Sequence, residues 1–226
     1  MAETFDLIIK ASTVATPGGR GVADVAANKD IATLEVTPQH LTLSGPEDDM
    51  RLKGYTQMNP PVRDAAQRAA LWQAVSQGIP DLIGSDHAPN TKEEKSWPCP
   101  ASPAGMAGVQ TLVPVMLTHL AEGKMSLERV IDLTSAELQC VFGSADKGCI
   151  AQGYDADFTI VDITARKTIT HEWSVSRCGW TPFDGMEAKA WPMATFERGA
   201  MVMCDGALVA PGRGEQVQFV ETLVQA

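Results

Sequence analysis

The two ends of the chain alternate between apolar and polar residues, with the two-residue period of β-strands. Near the start, FDLIIKASTVAT (5–16) alternates and is rich in β-branched residues, and VADVAA (22–27) resumes the pattern after the turn cluster PGGRG. After Lys147, the segments ADFTIVDIT, KTIT and ATFERGAMVMCDGALVA alternate in the same way, and glycine-containing turns separate them. The pattern predicts two or three strands at the start and several more at the end.

The middle of the chain changes to the period of an α-helix. In PVRDAAQRAALWQAVSQG, the spacing places Ala65, Ala69, Trp72 and Val75 on one face. Gly78 follows the last of these residues and is a typical helix terminator. The segment therefore predicts an amphipathic helix that ends near Gly78.

Further elements follow in the same region. IPDLIGSD predicts a short buried strand with Asp86 at its C-terminal end. GMAGVQTLVPVMLTHLAEG predicts a mostly buried helix that is kinked or starts late because it contains Pro114. Ser126 is the predicted N-cap of a helix in SLERVIDLTS, and Gly143 the end of a helix in SAELQCVFG. The order of elements is thus β, then α/β, then β.

Composition and charge restrict the kind of partner. The 226 residues are 44% apolar and 20% charged, as in a globular protein, and carry a net charge of −10. This charge gives no attraction to phosphate, so we expect a small molecule or another protein as partner and no nucleic acid. No apolar run reaches the roughly 18 residues of a membrane span, and MAETFDLIIK has an acid where a secretory signal has positive charge. We therefore expect a cytoplasmic protein with no membrane partner.

Histidines and cysteines are scattered over the sequence without metal-binding spacing. The histidines are His40, His87, His119 and His171. The cysteines are Cys99, Cys140, Cys149, Cys178 and Cys204. Because the cysteines are odd in number and form no CxxC pair, we interpret them as buried free thiols. We expect His119 on a helix surface and His171 at the end of a strand.

Six segments in a fixed order resemble the dihydroorotase and hydantoinase branch of the amidohydrolase superfamily, and dihydroorotases in particular. They are EVTPQHL (35–41), MNPPVR (58–63), GSDHAPN (84–90), PAGMAGVQT (103–111), KGCIAQGYDADFTIVD (147–162) and CGWTPFDGM (178–186). Together they cover nearly everything from Glu35 onward. The opening strands also resemble those of the family.

This resemblance implies an α/β fold in which a (β/α) TIM barrel of the metal-dependent hydrolase type is flanked by a small β-sandwich of N- and C-terminal strands. We expect sandwich strands in 1–33, a barrel segment in 34–146 and sandwich strands again in 147–226. In the family, a long stretch with most of the barrel strands precedes EVTP, whereas here Ile31 and Glu35 are almost adjacent. A complete barrel takes about 250 residues. We therefore expect a partial barrel remnant.

The family resemblance also implies a zinc site. Such enzymes hold one or two zinc ions with an HxH pair, a carboxylated lysine or aspartate, two further histidines and the aspartate of the DHAP segment. Zinc activates water and polarises the amide carbonyl, and the aspartate transfers the proton. Asp86 matches that aspartate, so the resemblance makes it both metal ligand and catalytic residue. The sequence contains no HxH, and we expect this chain alone to retain one ligand and little turnover.

Four further residues match substrate-contacting positions of the family. His87 follows Asp86 directly, although it is equally well explained as a residue that shapes the turn. Asn90 stands where dihydroorotases have a histidine that touches substrate. Asn59 matches an asparagine near the substrate ring, and Gly105 lies in a loop whose backbone meets that ring, although both also suit plain turns.

Two functions agree with these features. The first is a zinc-dependent, dihydroorotase-like hydrolase of cyclic amides in pyrimidine biosynthesis, impaired as an isolated chain. The alternative is a non-catalytic scaffold or assembly partner of another pyrimidine-pathway enzyme. Because a partial barrel leaves unpaired strand edges, we expect a homo-oligomer or a partner subunit, with the DLIG strand at the interface.

Overall fold

Two antiparallel strands near the N-terminus form a hairpin, β1 (Leu7–Thr16) and β2 (Gly19–Ala27), as the alternating pattern predicts. The computed structural model describes these two strands by their backbone, and residues 33–212 and 214–220 in full. The predicted turn between the strands falls partly on residues 17–18, which lie outside the described residues.

The central region is a mixture of short strands and helices. Its elements are β3 (Glu35–Val36), α1 (Pro38–Thr42), α2 (Glu47–Leu52), a 3₁₀ turn (Lys53–Thr56), α3 (Ala65–Ser76), β4 (Leu82–Ile83), α4 (Lys92–Lys95), α5 (Leu112–Ala121), α6 (Leu127–Ile131), a π-helical turn (Asp132–Ala136) and α7 (Glu137–Phe142). Strands β3 and β4 pair in parallel, with Glu35 opposite Leu82. Parallel strands joined through helices are typical of α/β folds.

Capping residues set the helix boundaries, as the sequence predicts for Ser126 and Gly143. Asp64 caps α3 by accepting a hydrogen bond from the Gln67 amide, and Ser126 caps α6. Pro114 lies in the first turn of α5, which confirms the late start. Gly143 ends α7 in the left-handed conformation, with φ of 62°.

The buried face of α3 differs from the predicted one. Ala65 and Ala69 are exposed, whereas Leu71 and Trp72 are partly buried and Val75 is fully buried. The small alanine side chains gain little from burial, so the larger residues turn toward the core.

Two hydrophobic clusters form the core. The first joins α1, α3, β4, α5 and the π-helical turn through Leu41, Val75, Ile83, Met116 and Leu133. The second connects the central region to the C-terminal region, and consists of Leu43, Met58, Met106, Val115, Ile169, Trp180, Phe183, Ala188 and Trp191. The two regions therefore share one buried cluster.

The C-terminal region is made of antiparallel strands, as predicted. They are β5 (Phe158–Asp162), β6 (Lys167–Thr168), β7 (Glu187–Ala188), β8 (Trp191–Glu197), β9 (Ala200–Cys204) and β10 (Ala207–Leu208). Four of them form a sheet in the order β10-β9-β8-β5, and β6 pairs with β7. Among the described strands, those of the N-terminal hairpin are hydrogen-bonded only to each other. A sandwich between the two sheets remains a prediction.

Three expectations about individual residues are wrong. His119 is almost fully buried, with 1% of its surface exposed, because α5 is apolar on most sides and lies in the core. The five cysteines are free but not buried, since each is exposed or half-buried. In the DLIG strand, Leu82 and Ile83 are buried within the chain itself, so their side chains are not available to an interface.

Within residues 33–212 and 214–220 and the two N-terminal strands, no helix has the length and apolar character to span a membrane.

Candidate active site

The candidate site lies where the paired strands β3 and β4 end. Parallel strands bring their carboxyl ends to the same edge of a sheet, and ligands bind at such edges in α/β proteins. Asp86 follows β4 by three residues and is half-buried. Its backbone is left-handed, with φ of 42°. Non-glycine residues in this region cost about 1 kcal/mol or more and cluster at functional sites.

Glu35 is a second carboxylate at this edge, and sequence reasoning missed it. A Cβ atom on Gly84 would come within 2.3 Å of Glu35 Oε1, so the absence of a side chain at Gly84 leaves room for the carboxylate. Burial raises the pKa of Glu35, and the nearby charge of Asp86 raises it further. The strand ends therefore carry two mutually repelling carboxylates.

Gln39 joins the Asp86 loop to the following loop. This side chain is fully buried, and its Nε2 donates to Ser85 O at 2.9 Å. A Cβ on Gly108 would lie 2.1 Å from that same Ser85 oxygen and 2.7 Å from Gln39 Nε2. The close approach of the two loops thus requires glycine at position 108.

His87 turns its ring toward the same loop. Its Nδ1 accepts hydrogen bonds from the backbone N–H groups of Gly108 at 3.1 Å and Val109 at 3.3 Å. A nitrogen that accepts carries no proton, so the proton of this neutral imidazole is on Nε2. His87 therefore shapes the loop, which is one of the two roles considered from the sequence. Its Nε2–H is left to donate.

Asn90 and Gly105 lie in two loops that contact each other. Asn90 Nδ2 donates to Ala88 O at 3.3 Å and to Ala104 O at 3.1 Å, so its amide hydrogens are used inside the protein. Gly105 has φ of 126°, and a Cβ there would lie 2.4 Å from Ala88 O. Only glycine fits this position without strain.

The segment with Asn59 is fixed from both sides. The Gly105 amide donates to Gln57 O at 3.0 Å. On the other side, His40 Nε2 lies 2.9 Å from Pro60 O and must donate, since a carbonyl only accepts. The side chain of Asn59 is exposed. The structure thus links the Asn59 segment to the loop of Gly105 and, through Ala104, to Asn90.

Lys95 is a further residue that sequence reasoning missed. The segment TKEEK is typical of a solvated helix, yet Lys95 is fully buried. Its Nζ donates to Gln57 O and Pro103 O, each at 2.8 Å. No sequence signal distinguishes it from the exposed Lys92 in the same helix.

The described residues do not by themselves fit a catalytic zinc ion. Such a site usually takes three protein ligands. Within the part of the chain that the structure describes, no group of three or more histidine, cysteine, aspartate or glutamate side chains could hold a metal. Glu35 and Asp86 supply two carboxylates, and the Nδ1 of the adjacent His87 is already occupied by backbone N–H groups.

Two clefts border the loops. One of about 1070 Å³ is lined by residues that include Tyr55, Gln57 and Pro61, and adjoins the Asn59 segment. A smaller pocket of about 150 Å³ is lined by residues that include His87 and Gly108. Among the described residues, Asp86 does not line either cleft. It lies at the open strand edge.

Comparison with known proteins identifies relatives over most of the chain. A model of the Amidohydrolase family matches residues 18–208. The dihydroorotase of Methanosarcina acetivorans is 39% identical over 190 residues, which are 83% of this chain and 40% of that protein. The dihydroorotase of Bacillus subtilis (strain 168) is 36% identical over 178 residues, 78% of this chain and 41% of that protein. The chain thus spans about two fifths of the length of these relatives.

Solved structures give the same picture. The L-hydantoinase (dihydropyrimidinase) from Arthrobacter aurescens superposes with a TM-score of 0.75 at 31% identity, over 79% of this chain and 40% of that one. The dihydropyrimidinase from Brevibacillus agri NCHU1002 superposes with a TM-score of 0.70 at 28% identity, over 77% of this chain and 40% of that one.

Proposed function

Because the chain belongs to the amidohydrolase family, whose fold is a TIM barrel of the metal-dependent hydrolase type, we propose that it is the Asp86-bearing part of a hydrolase that opens small cyclic amides. The single observation that carries this proposal is the position of Asp86. It lies at the carboxyl end of a parallel strand pair, in a left-handed conformation, and the adjacent His87 pairs with Met106, which follows Gly105. Dihydroorotate is the proposed substrate, because the curated relatives are dihydroorotases.

Asp86 is the proposed general acid and base. Opening a cyclic amide requires a base that takes a proton from the attacking water and an acid that returns a proton to the ring nitrogen. One carboxylate can do both in sequence. Glu35 is the neighbouring carboxylate, and the charge of Asp86 contributes to raising the pKa of Glu35.

The surrounding loops are the proposed substrate contacts. His87 has an Nε2–H to donate, and the amide of Asn59 is exposed. Gly105 lets its loop pack directly on Ala88, and its backbone is the proposed contact. Asn90 donates both amide hydrogens to its own loops, so it acts on the substrate through its Oδ1 oxygen and by fixing the loop.

Zinc is the proposed metal, with Asp86 as one ligand. We propose that the remaining ligands come from another polypeptide, because the described residues supply only Asp86 and Glu35 at this edge. The chain alone is then expected to be catalytically impaired. A homo-oligomer or a partner subunit completes the site, and the division into 1–33, 34–146 and 147–226 with a β-sandwich belongs to the same proposal.

A second candidate function is a non-catalytic scaffold that associates with another pyrimidine-pathway enzyme. It is favoured by one observation: the described residues contain two carboxylates at the site instead of a three-ligand set. Under this alternative, the loops of Asn59 and Gly105 are retained for folding and association.

Zinc content and hydrolysis of dihydroorotate decide between the two. The protein is purified with zinc, alone and with its co-purifying partner, and Asp86→Asn serves as the matched variant because asparagine also tolerates the left-handed conformation. Stoichiometric zinc, with turnover that falls at least about 100-fold in Asp86→Asn, supports the enzyme. Zinc-free, inactive protein in both preparations contradicts it.

A further inference from the structure

Lys95 is held in a buried cage of backbone carbonyls and an indole ring. Its Nζ donates to Gln57 O and Pro103 O, both at 2.8 Å, and lies 5.8 Å from the centroid of the Trp180 ring. The side chain is fully buried. Hydrogen bonds from an ammonium group to carbonyls are stronger than neutral ones, particularly away from water.

Local structure directs this side chain inward. Thr91 begins the single turn of α4 with a reciprocal cap to Glu94, which fixes the orientation of the turn. The backbone of Gly54 packs directly on the end of α4, since a Cβ there would lie 2.5 Å from Lys95 O and from Trp97 O. No side chain separates α4 from the 3₁₀ turn. The side chain of Lys95 therefore extends beneath both neighbouring loops.

The carbonyls that Lys95 binds belong to the loops of the candidate site. Gln57 is two residues from Asn59 and also accepts the amide of Gly105. Pro103 is two residues from Gly105, and its neighbour Ala104 accepts from Asn90.

Trp180 closes the cage, because its Nε1 donates to Asn90 O at 2.8 Å. Its ring also packs edge-on against Tyr55 at 4.9 Å. The Lys95 ammonium group thus binds the segments of Asn59 and Gly105 directly, and lies near Trp180, which binds the backbone of Asn90.

We propose that Lys95 is a positioning residue of the candidate site, which holds the loops of Asn59, Asn90 and Gly105 at the spacing that a small cyclic amide requires. This inference rests on the proposed function for the identity of the ligand. The burial of a charge without an ion pair supports it: burial lowers the pKa of Lys95 to about 8, and no carboxylate of the described residues offsets that effect. A lysine with only a packing role is easily replaced by an apolar residue of similar length.

Hydrogen exchange tests the positioning, and binding of dihydroorotate tests its consequence. In Lys95→Met, backbone amides of residues 57–59, 88, 90 and 104–108 are expected to exchange about tenfold faster or more, while those of β8 and β9 keep their rates. The dissociation constant for dihydroorotate is expected to rise about tenfold. Lys95→Arg, which keeps the charge, is expected to restore part of both.

Lys167→Met is the matched control. The Nζ of Lys167 lies 5.3 Å from the Trp191 ring centroid, but the residue is exposed and belongs to strand β6, outside the three loops. Neither exchange in the loops nor binding is expected to change. If Lys95→Met leaves loop exchange as it is in the wild type, or accelerates exchange evenly over the whole molecule, the positioning role is refuted.

A wild-type measurement covers the case in which Lys95→Met does not fold. In protein labelled at the lysine side chains, the buried ammonium of Lys95 is expected to give a slowly exchanging NMR signal that shifts when dihydroorotate binds. A signal unmoved by bound dihydroorotate overturns the inference. If wild-type protein binds no dihydroorotate, either alone or with its co-purifying partner, the proposed function fails instead. Where Lys95→Met folds, its loop exchange still decides the positioning.

Discussion

Glycine 105 illustrates how a single residue sets the geometry of the site. Its φ of 126° disfavours any residue with a side chain. A Cβ atom at this position would also lie only 2.4 Å from Ala88 O. We expect Gly105→Ala to lower the free energy of unfolding by about 2 kcal/mol or more, since both strain and a clash with backbone are introduced. Urea unfolding measures this.

Gly123→Ala is the control for this substitution. Gly123 also has positive φ, 72°, but a Cβ there meets nothing within 4 Å. The expected loss is about 1 kcal/mol, from the backbone conformation alone. Equal losses at both positions would show that the contact with Ala88 has no effect.

His119 predicts a dependence of stability on pH. Its pKa is lowered to about 4, chiefly by burial and also by the charges of Lys124 and Arg68, while Glu122 opposes the lowering. Because the pKa in the folded protein lies below the ordinary value of 6.5, the unfolded chain binds the proton more readily. The stability is fully present above pH 6.5 and is lost as the pH falls toward 4.

The expected loss between pH 6.5 and pH 4.5 is about 2 kcal/mol. It is measured as the free energy of unfolding at pH 6.5 and pH 4.5 in wild type and His119→Gln. The variant should be less stable than the wild type at pH 6.5, and its stability should change less with pH. Identical slopes in His119→Gln and wild type would contradict the assignment.

At the scale of elements, local chemistry defines where α3 begins. Asp64 accepts a hydrogen bond from the Gln67 amide at 2.9 Å, and the residue is exposed. Asp64→Ala is expected to cost about 1 kcal/mol of unfolding free energy because an N-terminal amide loses its partner. Asp64→Asn, which can still cap, should cost much less. Thermal unfolding of both variants compares them.

The sequence determined which segments become helices and strands, but not which faces they bury. The caps at Asp64 and Ser126, the late start at Pro114 and the end at Gly143 follow from local rules. The burial of His119 does not, because a helix that is apolar on most sides has no unique outer face. Which side meets the core depends on the elements packed against it.

At the scale of the whole molecule, the second core cluster links the central region to the C-terminal strands. Phe183 is 2% exposed and belongs to a cluster that also contains Met106 and Val115 from the central region. We expect one cooperative unfolding transition, seen alike by tryptophan fluorescence and circular dichroism.

Phe183→Ala should lower the free energy of unfolding by about 3 to 5 kcal/mol and keep a single transition. Trp97→Ala is the control, since Trp97 is 53% exposed, and it should change the free energy by less than about 1 kcal/mol. Two separate transitions in the wild type would show that the regions unfold independently.

The sequence by itself determined the family, the order of elements, and Asp86, His87, Asn90, Asn59 and Gly105 as candidates, because motifs and turn chemistry are local. Tertiary structure alone decided three further features. Glu35 lies beside Asp86, and the side-chain amide of Asn90 donates its hydrogens to its own loops. Lys95 is buried under all three loops. The long-range contacts among these join residues 14, 38 and 51 positions apart. No local pattern encodes them, since a charged residue in a polar helix looks the same in sequence whether it faces water or carbonyls.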